Sequence, residues 1–452
     1  MTAPRVVVVG AGPAGIRATE ALVAAGLRPV VIDEQALSGG QIYRRPPKGF
    51  ARDARALYGF DAGRARALHA LFDALADRID HRAETLAWNV WDGAVHTLGD
   101  GVLGREPYDA LILAPGAMDL VIPFPGWTLP GVFTLGGAQV ALKAQGCAVG
   151  RRVAFLGTGP LLTLVAHQYV KAGADAAGLF DTSPAAALRR AVPALAADPV
   201  RLGRGLWYRA HLAVGRVPIV HGVTPLAAVG EGHVTALRWR DAGGTEHETP
   251  CDAIAFGYGL QPETQLAELA GARFAFRSGL WLPVADAAGR IAERVYLAGD
   301  GGGILGAGAA ELSGSRAALA ALGDLGIATS SNAALTRGLA RAVRFADGLA
   351  AAFPFPARLA AALPDATILC RCEAVTAGEL RAAARDKGAR EINRAKALSR
   401  VGMGRCQGRV CGVAAAHVLA AACAMPVGAV GRLRAQAPVK PIPIGACRAA
   451  EP

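Results

Sequence analysis

Arg5-Val6-Val7-Val8-Val9-Gly10-Ala11-Gly12-Pro13-Ala14-Gly15 is the stretch on which the fold turns. The valines are stiff at χ1 and favour a strand. The glycines at 10, 12 and 15 break it, and Pro13 starts an Ala-rich helical segment that stops near Gly26. Pro29 to Asp33 reads as a second strand, so the opening is a βαβ unit. In such a unit the three glycines permit a tight turn, close approach of the backbone to a pyrophosphate, and close packing of helix on strand. The helix N-terminus then stabilises the phosphate charge. Gly10, Ala11, Gly12, Pro13, Ala14 and Gly15 are therefore candidate dinucleotide-binding residues, and Asp33 or Glu34 is placed to bind the ribose hydroxyls.

The same grammar returns 147 residues later. A strand from Val153 to Leu156 leads into Gly157-Thr-Gly159-Pro, a helix follows from Leu161, and a further strand ends at Asp181. Gly157, Gly159 and Asp181 repeat the candidate positions, but Leu162 replaces the third glycine. A bulky side chain there alters the seating of helix on strand. Whether this second site holds NAD(P), another adenine nucleotide or nothing stays open at this point. Two apolar segments, Asp252 to Gly257 and Arg294 to Asp300, also end in a glycine-bearing turn. Residues from about Ile327 to Leu363 read as a helical connector. Beyond them, Ile368 to Cys423 holds five of the chain's eight cysteines, which marks a separate small domain.

A chain of 452 residues suits about three domains. Hydrophobic residues make up 52% and charged residues 19%, which is too apolar for disorder. The net charge of +12 raises nucleic acid as a partner. The most basic region, from Asp365 onward, nevertheless lacks Phe, Tyr and Trp, and so lacks the stacking platform that single-stranded nucleic acid needs. The excess of basic residues is read instead as an Arg- and Ala-rich coding bias, or as a basic surface that docks an acidic protein or electron carrier. Val6 to Val9 runs straight into the glycine turn with no cleavage region after it, so no leader and a cytoplasmic location are expected. Val410 to Gly431 carries no charge over 22 positions, but its Ala, Gly, His417 and Pro426 favour a buried helix over a membrane span.

Cys370-x-Cys372 and Cys406-x4-Cys411 form two short pairs separated by 33 residues. Four thiolates in this pattern suit a [2Fe-2S] cluster or Zn, although a one-residue gap is less usual for structural Zn. Arg371, Arg405 and Arg409 either offset the thiolate charge or lie on a solvated surface. Cys147 and Cys251 are expected to be buried apolar side chains. No His/carboxylate or Ser/His constellation stands out as a catalytic site.

With Gly39-Gly40-Gln41, Ala114-Pro115-Gly116 and Gly299-Asp300 in order along the chain, the sequence resembles the flavoproteins with two dinucleotide-binding domains, glutathione and thioredoxin reductase among them. That resemblance implies FAD at the first site, with Gly40, Gln41, Ala114, Gly116 and Gly299 near it. It also implies that Asp300 bonds the ribityl chain and that a helix near Glu311 points its N-terminus at the flavin ring. Those reductases carry a cysteine pair beside the flavin, and this chain has none there.

Cys370-Arg-Cys372-Glu-Ala-Val-Thr376, Gly402-Met-Gly-Arg-Cys406-Gln-Gly-Arg-Val-Cys411, Pro125-Gly-Trp-Thr-Leu-Pro-Gly-Val132 and Pro438-Val-Lys-Pro-Ile-Pro443 sharpen the likeness. They resemble the alpha-type flavoprotein subunits of hydrogen cyanide synthase, opine (octopine and nopaline) oxidase and D-hydroxyproline dehydrogenase. In these a bacterioferritin-associated-ferredoxin type [2Fe-2S] domain is fused to the flavoprotein. The resemblance implies an α/β protein with two Rossmann-like, glutathione-reductase-like domains and a small, mainly helical C-terminal cluster domain. The expected division is FAD-binding at 1–124 and 275–326, NAD(P)-like at 125–274, connector at 327–364, [2Fe-2S]-binding at 365–430 and tail at 431–452. Such a chain would relay electrons in a hetero-oligomer that oxidises an amino-acid C–N bond. A second flavoprotein subunit would carry the substrate, and a small ferredoxin-like subunit would accompany it in some members. Two rival readings are a self-contained NAD(P)H-dependent reductase of an iron-sulfur carrier and a Zn-binding scaffold without catalysis.

Overall fold

The computed structural model describes residues 3–47, 49–50, 52–329 and 333–448; part of the expected connector, 330–332, and the last four residues of the tail lie outside them. The valine run forms the strand Val6–Val9 at the centre of a six-stranded sheet. Val30–Ile32 pairs with it in parallel on one side and Ala110–Leu113 on the other. Val295–Leu297 extends the sheet in parallel beyond Ala110–Leu113. The near-continuous Val/Ile/Leu composition of these strands follows from burial on both faces. One face packs against the helices Pro13–Ala24 and Ala307–Asp324. These two helices approach very closely, since a Cβ on Gly314 would lie 2.0 Å from the Ala14 carbonyl oxygen.

The duplicated unit builds a second sheet of five parallel strands in the order Ile219–His221, Asp175–Asp181, Arg152–Gly157, Ala253–Gly257, Val132–Thr134. The chain passes between the two units through Ala117–Asp119 and Leu260–Pro262, which pair antiparallel. After this crossing, Leu266 and Ala267 pack on the first sheet with Val7, Val9 and Ile32. The expected connector is the long helix Ala333–Ala352 followed by the short Ala357–Ala361.

The C-terminal segment is mainly helical, with Ala377–Lys387, Ile392–Ser399 and Gly412–Ala422. Thr376 and Glu379 close a capping box at the start of the first of these helices. The uncharged stretch from Val410 forms only the helix Gly412–Ala422, and no helix among the described residues is long and apolar enough to cross a membrane. This segment shares one apolar core with the second sheet, in which Phe124, Trp127 and Phe256 meet Leu369, Ala414 and Leu419. Trp127 of the Pro-Gly-Trp turn donates its indole N–H to the Ile368 carbonyl at 2.7 Å, two residues before Cys370. The cysteine segment is thus fastened to the nucleotide-binding body.

Candidate functional site

The first glycine loop has the geometry its sequence dictates. Gly10 has φ +105°, and a Cβ there would collide with the Ala114 carbonyl oxygen at 2.3 Å. Gly15 is required by packing, because a Cβ would stand 1.7 Å from the Gly10 carbonyl oxygen. Gly12 differs from both, since its Cβ direction is open apart from the Gly40 Cα at 3.7 Å. The helix starts at Pro13 directly behind this opening, so unpaired backbone N–H groups face it. Gly39 N donates to Ala11 O at 2.9 Å, which ties the Gly39-Gly40-Gln41 loop to the same opening. Gly299 N donates to Ser313 Oγ at 2.7 Å, and Asp300 Oδ1 accepts from Leu305 N and Gly306 N at 3.0 and 3.1 Å. Burial pushes the Asp300 carboxyl above its usual pKa, partly offset by those two amides. The helix behind it starts at Ala307, and Glu311 in its first turns ion-pairs with Arg17 and Arg64.

The two acidic candidates at the end of the second strand have separate positions. Asp33 is spent internally: its oxygens accept from Ala11 N and from Gln35 N. Burial raises its pKa while these amides pull the other way. Glu34 is the more exposed of the two, and its carboxylate pairs with Lys440 of the C-terminal tail. The tail is anchored there by Val439, which is buried against the first sheet and donates its N–H to Trp88 O at 3.0 Å.

In the second unit, Gly157 has φ +133° and lies against the Gly257 carbonyl, where a Cβ would come within 1.8 Å. Gly159 has φ +101° and opens towards Gly259. Asp181 repeats the behaviour of Asp33, accepting from Ser183 N at 2.8 Å, two residues on. Its other oxygen faces His221 Nδ1 at 3.4 Å, and the Thr158 and Ser183 hydroxyls bond each other beside it. Leu162 is 1% exposed and packs with Val153, Phe155 and Leu179. The residue that replaces the third glycine is therefore absorbed by the helix-to-sheet core, while the acid is fully engaged within the protein.

The four cysteines converge as two pairs. Cys370 and Cys411 are buried, Cys406 is half-buried and Cys372 is exposed; the Cys370 thiol acts most strongly on Cys411, and the Cys406 thiol acts on Cys372. Cys411 lies within electrostatic reach of the other three. The bond from Cys411, with backbone amides of Gly402, Glu373 and Cys372, pulls the Cys370 thiol down to about 6. The same bond and burial push Cys411 up. Gly404 keeps the loop close, since a Cβ there would sit 2.2 Å from the Cys372 Cβ. Among the described residues, no group of three or more His, Cys, Asp or Glu side chains stands as a ready site for one metal ion. Cys147, Cys251, Cys370, Cys372, Cys406, Cys411 and Cys423 are free thiols.

Two expectations need correction. Cys147 is exposed, because it follows the turn at Gly146 after the helix Leu135–Ala144 and so faces away from the core; Cys251 is buried as expected. Arg409 neither lies on open surface nor merely faces the thiolates. Its guanidinium pairs with Glu263 at 2.7 Å and donates to Val439 O at 2.7 Å, which binds the cysteine loop to the crossover strand and the tail. Gln261 and Gln265 add bonds to the carbonyls of Arg409 and Gln407. Arg371 and Arg405 are exposed. The bonds of Gln261 and Gln265 to the cysteine loop carry no local sequence signature, since each joins residues well over a hundred positions apart.

The family model for pyridine nucleotide-disulphide oxidoreductases matches residues 4–314. The sarcosine oxidase A3 domain matches residues 367–451. The A subunit of opine oxidase from Agrobacterium tumefaciens (strain Ach5) is 35% identical, covering 96% of this chain and 89% of that protein. The chain belongs to the family of opine oxidase A subunits. Within it, hydrogen cyanide synthase subunit HcnB of Pseudomonas aeruginosa is 32% identical over 98% of both chains. The fold is shared with L-proline dehydrogenase from P. horikoshii, at a TM-score of 0.73 and 22% identity over 98% of this chain and 79% of that one. As a member of this opine oxidase family, the protein is a flavin oxidoreductase subunit.

Proposed function

We propose that this chain is the FAD- and [2Fe-2S]-containing electron-relay subunit of a multi-subunit dehydrogenase or oxidase acting on the C–N bond of an amino acid or N-substituted amino acid. The observation that carries the cluster is the convergence of the four cysteines, since Cys370, Cys372 and Cys406 all lie within electrostatic reach of Cys411. A [2Fe-2S] cluster takes two thiolates on each of two irons, and Cys370, Cys372, Cys406 and Cys411 supply the four. For FAD, the open direction at Gly12, the amides at the helix start and the loop of Gly40 and Gln41 fit a pyrophosphate, and Glu34 and Lys440 fit the ribose end. Ala114, Gly116, Gly299 and Asp300 would line the flavin side. Bound FAD supplies two-electron oxidation and one-electron transfer onward. This chain's part is to hold the two centres at fixed spacing, through Trp127, Arg409 and Gln261.

The opine oxidase and hydrogen cyanide synthase relatives are named as subunits, which supports a hetero-oligomer; in the proposed assembly a second flavoprotein subunit would hold the substrate, with a small ferredoxin-like subunit as a further candidate partner. The rival reading, a self-contained NAD(P)H reductase, requires a working second site. There Leu162 fills the place of the third glycine, and buried Asp181 accepts from Ser183 N and faces His221, which counts against that reading. An anaerobic visible spectrum decides between the two. Addition of NADH or NADPH is expected to leave the flavin oxidised; rapid bleaching by either would establish the reductase.

A further inference from the structure

We propose that a small cleft between the C-terminal ends of the helices Leu135–Ala144 and Pro160–Lys171 is an oxyanion site, centred on Lys143 and shaped for a phosphate or carboxylate group. Lys143 is 4% exposed, yet among the described residues its ammonium has one hydrogen-bond acceptor, the Ile42 carbonyl at 3.0 Å, and no carboxylate within ion-pair distance. A buried cation without a counter-ion is costly, so its persistence needs a compensating charge. Burial pulls its pKa down to about 8, against a weaker upward pull from Asp61.

The surroundings point the same way. The polar side chains lining the cleft are Arg52, Lys143, Gln168 and Lys171, with no acid among them. Arg52 donates one N–H to Leu142 O and Lys171 one to Arg55 O, both at 3.1 Å. A guanidinium has five donors and an ammonium three, so most remain for a ligand. Gln139 donates to the Gln168 side-chain oxygen at 2.9 Å, which fixes that amide and leaves its NH₂ as a further donor. The helix-end carbonyls offset part of the charge of Arg52 and Lys171. They leave Lys143 unaccounted for, because its ammonium reaches across to the loop that carries Gly39 and Gly40 rather than to its own helix end. The cavity of about 50 Å³ exceeds the roughly 10–15 Å³ that one water needs, which leaves room for a small ligand.

The test is thermal denaturation and titration calorimetry of the full-length protein in inorganic phosphate, acetate or chloride at equal ionic strength. Phosphate or acetate is expected to raise the melting temperature saturably above the chloride value, and the stronger of the two identifies the group recognised. Lys143→Met, which keeps the length of the side chain, is expected to melt higher in chloride and to lose the anion-dependent rise. Arg52→Ala, at the cleft mouth, is expected to weaken the titrated affinity about tenfold, as for one lost charge-assisted contact. Superimposable curves in all three salts, or an undiminished rise in Lys143→Met, would overturn the proposal.

Discussion

Cys406→Ser is expected to take the iron out of the protein and leave the flavin in it. Cys406 is half-buried, whereas Cys370 and Cys411 belong to the shared core beside Leu369 and Ala414. Serine at 411 would test folding as much as ligation; serine at 406 removes a ligand near the surface and replaces little packing. A hydroxyl is a far weaker ligand for iron than a thiolate, and three remaining thiolates leave one iron under-coordinated. The iron content measured on the purified variant should therefore fall several-fold, with the flavin band near full occupancy. The core around Trp127 and Ile368 should persist, so the far-ultraviolet spectrum should not change. Unchanged iron would remove Cys406 from the ligand set.

Gly12→Val is expected to produce the converse variant, without flavin but with iron. The neighbouring glycines could not test this. A Cβ at Gly15 or Gly10 strikes backbone carbonyl oxygens, at 1.7 and 2.3 Å, so their substitution breaks the unit itself. Gly12 has φ −80°, a conformation open to any residue, and its Cβ would meet nothing nearer than 3.7 Å. Valine there fills the space in front of the helix start, where the pyrophosphate would lie. The expected result is loss of nearly all flavin from a folded protein whose iron content is unchanged. Flavin recovered at full stoichiometry would show that the first glycine loop does not hold it.

The sequence made the sheets legible because each βαβ unit is local. Valine stiffness, three glycines and a terminal acid all lie within about 30 residues, and Gly10, Gly15 and Gly157 have the tight roles their spacing implies. It also placed the two cysteine pairs in one segment. What it left ambiguous was the division of labour between Asp33 and Glu34, which depends on whether an oxygen is consumed by nearby amides. The contacts of Lys440 with Glu34 and of Arg409 with Glu263 were beyond sequence periodicity, because they join parts of the chain distant in sequence. Residue type alone makes Cys147 a buried side chain, and a turn at Gly146 decides otherwise. Buried Lys143 gave no signal at all, since a single lysine in the last turn of a helix ordinarily serves the helix dipole.

Whether one chain holds both a flavin and a two-iron cluster is tested most directly by paired analyses on the purified protein. These are iron, acid-labile sulfide, zinc and flavin per chain, with low-temperature electron paramagnetic resonance after anaerobic reduction by dithionite. About two irons, two sulfides and one FAD are expected, together with the signal of a reduced [2Fe-2S] centre. A colourless protein containing one zinc, no sulfide and no flavin would contradict the proposed electron relay.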